Sequence, residues 1–61
     1  MRNNLIEARR RKELTQKQLA EQLNISLRQY TRIEAGTSEG SLKVWKQLKQ
    51  LFNLSIDHLI E

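Results

Sequence analysis

The chain has 61 residues, with no cysteine, one histidine, and 11 lysines and arginines against 7 aspartates and glutamates. A chain of this length is expected to form a single domain over residues 1–61. It should bury only about 60% of the surface that it exposes when unfolded. Without cysteine it has no disulfide and no thiolate metal ligand, and one histidine is too few for a zinc site. We therefore expect a small apolar core that holds no metal and no cofactor.

The net charge of +4 favours a polyanionic partner. Much of the positive charge falls in a block at residues 9–12 and in lysines at positions 43, 46 and 49. Such a block is equally often only a solvated surface, and that alternative stays open for residues 9–12. No apolar stretch approaches the roughly 20 residues that span a bilayer, and no signal-peptide pattern opens the chain. We therefore expect a cytoplasmic protein without a membrane partner.

Proline is absent, and the two glycines fall at positions 36 and 40. The only strong break in the chain therefore lies between Gly36 and Ser41, and the rest is free to be helical. Apolar residues recur at helical spacing on both sides of this break. The sequence predicts an all-α, compact domain of five helices. The first four lie at about residues 4–12, 16–23, 26–35 and 42–52, and a short last helix follows Ser55.

Capping residues mark where the helices begin and end. Thr15 and Gln18 form a Thr-x-x-Gln capping box at the start of helix two. Serines at positions 26, 41 and 55 are typical N-caps, and asparagines at 24 and 53 tolerate the left-handed conformation of a helix stop. The helix boundaries are therefore predicted from local residue chemistry.

The apolar positions at helical spacing form the predicted core. On helix four, we expect Leu42, Trp45, Leu48 and Phe52 to share the inward face. Tyr30 is also expected to point inward, with its hydroxyl reaching the surface. The predicted core residues of the first three helices are otherwise Leu5, Ala8, Leu19, Ala20, Leu23 and Ile33.

Helix two ends and helix three begins within about three residues, and four side chains suit this close crossing. Ala20 is small at the point of contact, Asn24 suits the turn, and Ile25 provides an apolar plug behind it. Ile33 closes the helix pair at its far end. In combination these features predict a helix-turn-helix over residues 15–36.

The run TQKQLAEQLNIS, followed by RIEAG, resembles the phage-repressor and Cro-like (Xre) family of bacterial helix-turn-helix regulators. The segment LKQLFNLSIDHLI is similar to the closing helices of that family. The resemblance implies a five-helix, lambda-repressor-like domain from a bacterium or phage. It also implies a transcriptional regulator, in the first instance a repressor, that binds a short and often palindromic double-stranded DNA operator.

The resemblance further implies that helix three, residues 26–35, is the recognition helix, with its N-terminal residues facing base edges in the major groove. Arg28 and Arg32 would pair with guanine, and Leu27 would contact a thymine methyl group. Thr31 shares this face, and Gln29 lies to its side. For each arginine, a phosphate contact or a solvated side chain remains the alternative.

Gln16 and Lys17 at the start of helix two are implied to contact the DNA backbone, with an ordinary surface residue as the alternative for Gln16. Near the loop after helix three, the candidates for such contacts are Thr37, Ser38 and Lys43. In the resembling proteins an arginine of helix one pairs with the glutamate of the segment that reads RIEAG here. The corresponding residues are Arg9 and Glu34, and we expect a structural, partly buried ion pair. The chain departs from the family's pattern where Glu13 replaces a common glycine.

A single domain reads few base pairs, so we expect a homodimer on two half-sites, at least on DNA. The apolar residues near the C-terminus are the expected self-association surface, namely Leu54, Ile56, Leu59 and Ile60. A rival interpretation is a protein-interaction module, such as an antitoxin, an antirepressor or an assembly adaptor. The arginines of helix three favour DNA, because a partner-binding helix more often presents apolar anchors.

An enzyme is the least favoured interpretation. The sequence contains no nucleophile–base pair, carboxylate dyad, metal cluster or phosphate-binding glycine loop. We therefore predict no catalytic residues. The core of so small a chain also leaves no expected pocket for a small-molecule ligand.

Overall fold

The computed structural model describes all 61 residues and contains five α-helices and no strands. They are α1 (Asn3–Arg11), α2 (Gln16–Leu23), α3 (Leu27–Ala35), α4 (Leu42–Phe52) and α5 (Ile56–Ile60). The predicted all-α class and the number of helices are confirmed, and α1 begins and ends one residue earlier than the sequence suggested. None of the five helices is long and apolar enough to cross a membrane.

The predicted capping residues begin four of the helices. At the start of α2, Thr15 Oγ1 accepts a hydrogen bond from the Gln18 amide at 3.0 Å. The Gln18 side chain in turn accepts one from the Thr15 amide at 2.9 Å, which completes the capping box. Serines cap α3, α4 and α5 by accepting from the amide three residues on. Each cap satisfies a backbone donor that the helix itself leaves free.

The helices enclose one apolar core. α2 and α3 pack against each other, α1 contacts α3 and α5, and α4 contacts α2 and α5. Leu59 of α5 is fully buried in this core. The twelve buried apolar residues are Leu5, Ala8, Leu19, Ala20, Leu23, Tyr30, Ile33, Val44, Trp45, Leu48, Phe52 and Leu59.

The inward face of α4 differs from the prediction at its first turn. Leu42 is 64% exposed, whereas Val44 is buried with Trp45, Leu48 and Phe52. At 3.6 residues per turn the buried stripe is centred on Leu48, and Leu42 lies about 120° away from it. The prediction for Leu42 was therefore wrong, because a pattern of Leu42, Trp45 and Leu48 follows only one edge of the true stripe.

Three residues other than glycine have a positive φ, and Glu13 is the unexpected one. Its φ is 57°, close to the 59° of Asn24 and the 55° of Asn53. Asparagine tolerates this conformation, but a side chain such as glutamate costs about 1–2 kcal/mol there. Glu13 therefore destabilises the connection between α1 and α2, and glycine would meet the backbone requirement without that strain.

We predict that Glu13→Gly raises the free energy of unfolding by about 0.5–1 kcal/mol. The relief of left-handed strain exceeds the extra entropy that glycine gains in the unfolded chain. Urea unfolding measures the change. Glu13→Ala is the matched control, because it removes the same charge and keeps the Cβ atom. If the alanine variant were as stable as the glycine variant, strain at this position would not be the cause.

Candidate nucleic-acid interface

One face of α3 is buried and the opposite face is basic. Tyr30, Ile33 and Glu34 are buried, which fixes how the helix is rotated about its axis. Arg28 and Arg32 lie one turn apart on the exposed side, and neither side chain makes a hydrogen bond or an ion pair within the chain. Both guanidinium groups are therefore free to bind an external acceptor.

The other predicted residues of α3 differ in how available they are. Leu27 is 45% exposed at the first position of the helix. Gln29 is exposed. Thr31 is half-buried, and its hydroxyl donates to the carbonyl of Arg28 at 2.8 Å. Thr31 therefore presents mainly its methyl group to an external partner.

Three helix N-termini carry a cation where an anion would be more favourable. The first turns of α2, α3 and α4 contain no acidic residue, and their second residues are Lys17, Arg28 and Lys43. All three side chains are exposed. A positive charge at a helix N-terminus is unfavourable by about 0.3–1 kcal/mol, whereas a bound anion there is stabilised. The arrangement costs stability in the free domain and favours a polyanion.

A buried carboxylate joins α3 to the two helices before it. Arg9 of α1 donates from Nε to Glu34 Oε2 at 2.9 Å and from Nη2 to Glu34 Oε1 at 3.4 Å. Gln16 of α2 donates from Nε2 to Oε1 of the same carboxylate at 3.0 Å. Arg9 also donates to the carbonyl of Leu14 at 2.7 Å. The structure thus brings Arg9 and Glu34 together and adds Gln16 as a third partner.

This contact limits what the Gln16 side chain can offer to an external partner. Its side chain is half-buried, and one amide hydrogen points to Glu34. The second amide hydrogen of Gln16 makes no hydrogen bond within the chain. Lys17, by contrast, is exposed and without an intramolecular partner.

The Tyr30 hydroxyl lies inside the domain, close to the Arg9–Glu34 pair. Tyr30 is 0% exposed and its hydroxyl makes no hydrogen bond, so the expectation that it reaches the surface was wrong. Burial raises the pKa of Tyr30 well above its ordinary value. The neighbouring Glu34 carboxylate raises this pKa further, and the positive charge of Arg9 opposes the rise.

The loop after α3 is held by hydrogen bonds to backbone carbonyls, from amides and from side chains. The amide and hydroxyl of Thr37 donate to the carbonyl of Arg32, at 3.1 Å and 3.3 Å. The carbonyl of Ser38 accepts a hydrogen bond from the Arg2 guanidinium at 2.7 Å. Sequence reasoning missed Arg2, because a lone arginine before the first helix carries no motif.

The predicted self-association residues divide by exposure. Leu59 is 0% exposed, so its assignment to an interface was wrong: α5 packs on α1 and α4 and turns this side chain into the core. Leu54 and Ile56 are half-buried against the core. Ile60 is 43% exposed. Leu54, Ile56 and Ile60 can therefore contact a partner without unfolding of the domain, and Leu59 cannot.

We predict that the domain loses stability above pH 10 through Tyr30. The pKa of Tyr30 is raised in the folded state, so the unfolded chain releases this proton first, near the ordinary value of 10.0. The contribution of protonated Tyr30 to the free energy of unfolding is complete below that pH and is lost as the pH rises beyond it. The expected loss is about 1.4 kcal/mol per pH unit. Urea unfolding from pH 8 to 11.5 measures it.

Tyr30→Phe is the control for that titration. Lysine deprotonation affects both proteins, so only the difference between their curves reports Tyr30. The phenylalanine variant should also keep its stability at pH 7, since the hydroxyl makes no hydrogen bond. Parallel curves for the two proteins would show that the hydroxyl is not buried as described.

Comparison with known proteins identifies the family. The sequence profile described as helix-turn-helix matches residues 5–59. The uncharacterized HTH-type transcriptional regulator YqaE of Bacillus subtilis (strain 168) is 33% identical over 58 residues, covering 95% of this chain and 50% of that protein. The chain therefore spans about half the length of this curated relative. No solved structure matches significantly. The chain belongs to the Xre and Cro-like helix-turn-helix family.

Proposed function

We propose that the chain is a DNA-binding transcriptional regulator that inserts α3 into the major groove of a double-stranded operator. The observation that carries this proposal is the pair of unpartnered arginines, Arg28 and Arg32, on the exposed face of a helix fixed by its buried face. Membership of the helix-turn-helix family and the regulator name of YqaE support it.

The bases are read by the exposed side of α3. Each arginine can donate two hydrogen bonds to O6 and N7 of guanine, and each such pair discriminates by about 1–3 kcal/mol. Leu27 and the methyl group of Thr31 offer apolar contact to thymine methyl groups. Gln29 lies at the side of this face and reaches a base or phosphate at its margin.

The phosphates are bound at the helix N-termini and at the loop after α3. Lys17 and Lys43 place cations at the first turns of α2 and α4, where the helix dipole also favours an anion. Gln16 contributes from the start of α2, and Thr37 and Ser38 contribute from the loop. Such contacts set the register of α3 and carry no sequence information.

The protein binds DNA as a homodimer and represses transcription in this proposal. One helix reads too few base pairs for selective binding, and two copies reach half-sites whose centres lie about 34–36 Å apart. The self-association surface is the apolar region of Leu54, Ile56 and Ile60. Ile56 and Ile60 line a groove of about 410 Å³, whose other lining residues are Arg2, Glu39, Gly40, Leu42 and Trp45.

The rival function is a protein-interaction module that uses the same fold. One observation favours it: Leu27 is 45% exposed on α3. A helix that binds a protein partner usually presents several apolar anchors, and α3 presents arginines beside its single leucine. The charge of α3 therefore favours DNA.

We predict that selection from a random duplex pool yields a consensus for the parent protein. Arg28→Ala and Arg32→Ala should each relax the preference at definite positions and lower affinity by about tenfold to a hundredfold, the equivalent of about 1–3 kcal/mol. Arg10→Ala is the matched control, because Arg10 is an exposed arginine outside α3.

Two outcomes would contradict this proposal at different points. Without a consensus for the parent protein, sequence-specific binding would be wrong. If both α3 variants bound all sequences more weakly, with unchanged preferences and a shallower salt dependence, the arginines would be phosphate contacts and not base readers.

A further inference from the structure

The C-terminal end of α3 is capped by a residue from the start of the chain. The Arg2 amide donates to the carbonyl of Glu34 at 2.9 Å. Arg2 Nη1 donates to the carbonyls of Ile33 and Ser38. The last carbonyls of a helix have no partner within the helix, and a cation is favourable near them. Arg2 supplies both donors and charge at this end of α3.

The same guanidinium lies against the indole of Trp45. The distance from Arg2 Cζ to the ring centroid is 5.2 Å, which is within the range of a cation–π contact. Trp45 Nε1 donates to the carbonyl of Glu39 in the loop. We call this set of contacts the Arg2 clamp: Arg2 and Trp45, with the carbonyls of Ile33, Ser38 and Glu39.

The path of residues 37–40 depends on this clamp. Gly40 has a φ of +72°, and an added Cβ would lie 3.2 Å from Ile33 Cδ1 and 3.3 Å from Trp45 Nε1. The loop therefore closes tightly over the indole before α4 begins at Leu42. Contacts to Arg2 and Trp45 therefore hold Ser38, Glu39 and Gly40, in addition to the hydrogen bond from the Ser38 amide to the Arg32 carbonyl.

We propose that Arg2 is a positioning residue for DNA-backbone binding. The Arg2 clamp holds residues 37–40 and the first turn of α4 in place, so that Thr37, Ser38 and Lys43 meet phosphates together while α3 occupies the groove. Arg2 itself need not touch DNA, because Nη1 donates to two protein carbonyls and the guanidinium lies on Trp45. This inference rests on the proposed function.

The test compares Arg2→Met with Arg10→Met. Methionine keeps an unbranched apolar stem and removes the donors and the charge. Arg10 is exposed and its side chain makes no hydrogen bond or ion pair within the chain, so its variant loses the same charge without affecting the clamp. Arg2→Lys is the milder variant, used if Arg2→Met does not fold. It keeps the charge but lacks the planar, forked donors that bridge two carbonyls over an indole.

The first measurement is amide hydrogen exchange in the free protein. The amides of Thr37 and Ser38 donate to the carbonyl of Arg32, and their protection reports the order of the loop. With the amides of α2 as internal reference, we expect both to exchange at least tenfold faster in Arg2→Met than in Arg10→Met. The lysine variant should change in the same direction by a smaller factor.

The second measurement is affinity for the selected operator as a function of salt. Because Arg2 also lines the groove that holds Ile56 and Ile60, affinity is compared at a protein concentration where sedimentation gives both variants the same oligomeric state. We expect Arg2→Met to bind at least tenfold more weakly than Arg10→Met, after correction for the folded fraction. Its salt slope should also be shallower by about 0.9, since Lys43 is the one cation of this set and each phosphate that a lysine or arginine no longer neutralises lowers the slope by that amount. A variant that is merely less stable would bind normally per folded molecule, with an unchanged slope.

The inference would be overturned if the loop amides of both Arg2 variants exchanged as in the parent protein. It would also be overturned if the loop loosened while affinity and slope matched those of Arg10→Met. If the parent protein itself failed to bind DNA, the proposed function would fail. The exchange data would still decide separately whether Arg2 holds the loop.

Discussion

The carboxylate of Glu34 joins three helices at one buried point. Glu34 belongs to α3 and is 3% exposed. Its carboxylate accepts hydrogen bonds from Arg9 of α1 and Gln16 of α2. A carboxylate is expensive to bury, and only a cation with matching donors makes its burial tolerable. Arg9 therefore has to remain paired with Glu34, and this pair holds α1 against the C-terminal end of α3. The pair fixes geometry more than it adds stability.

The rest of the candidate interface follows from that constraint. With Glu34, Tyr30 and Ile33 turned inward, α3 has one possible rotation, and Arg28 and Arg32 face solvent. One face of α3 packs on the core and the opposite face is basic and exposed. The small core can therefore anchor the helix while its basic face stays available to a partner. The C-terminal end of the same helix is tied to the start of the chain through Arg2, so α3 is held along its inner face and at its end.

Local chemistry made much of this fold predictable. A threonine or serine cap, an asparagine stop and helical apolar spacing act within a few residues, so helix starts, helix stops and most of the core could be read directly from the sequence. Features that depend on distant segments could not. Leu42 was expected in the core and is exposed, and Leu59 was expected at an interface and is buried. Helix packing decides which edge of an apolar stripe is covered. The contacts of Arg2 span more than 30 residues and leave no pattern in the sequence.

A double-mutant cycle on Arg9 and Glu34 tests the central claim most directly. Arg9→Met, Glu34→Gln and the double variant are compared with the parent protein by urea unfolding at pH 7. Each single change leaves one buried polar group without its partner, so the double variant should be more stable than the sum of the two losses predicts, by about 1–3 kcal/mol. Losses that add within about 0.5 kcal/mol would contradict the account, because the two residues would then not hold α1 and α3 together through each other.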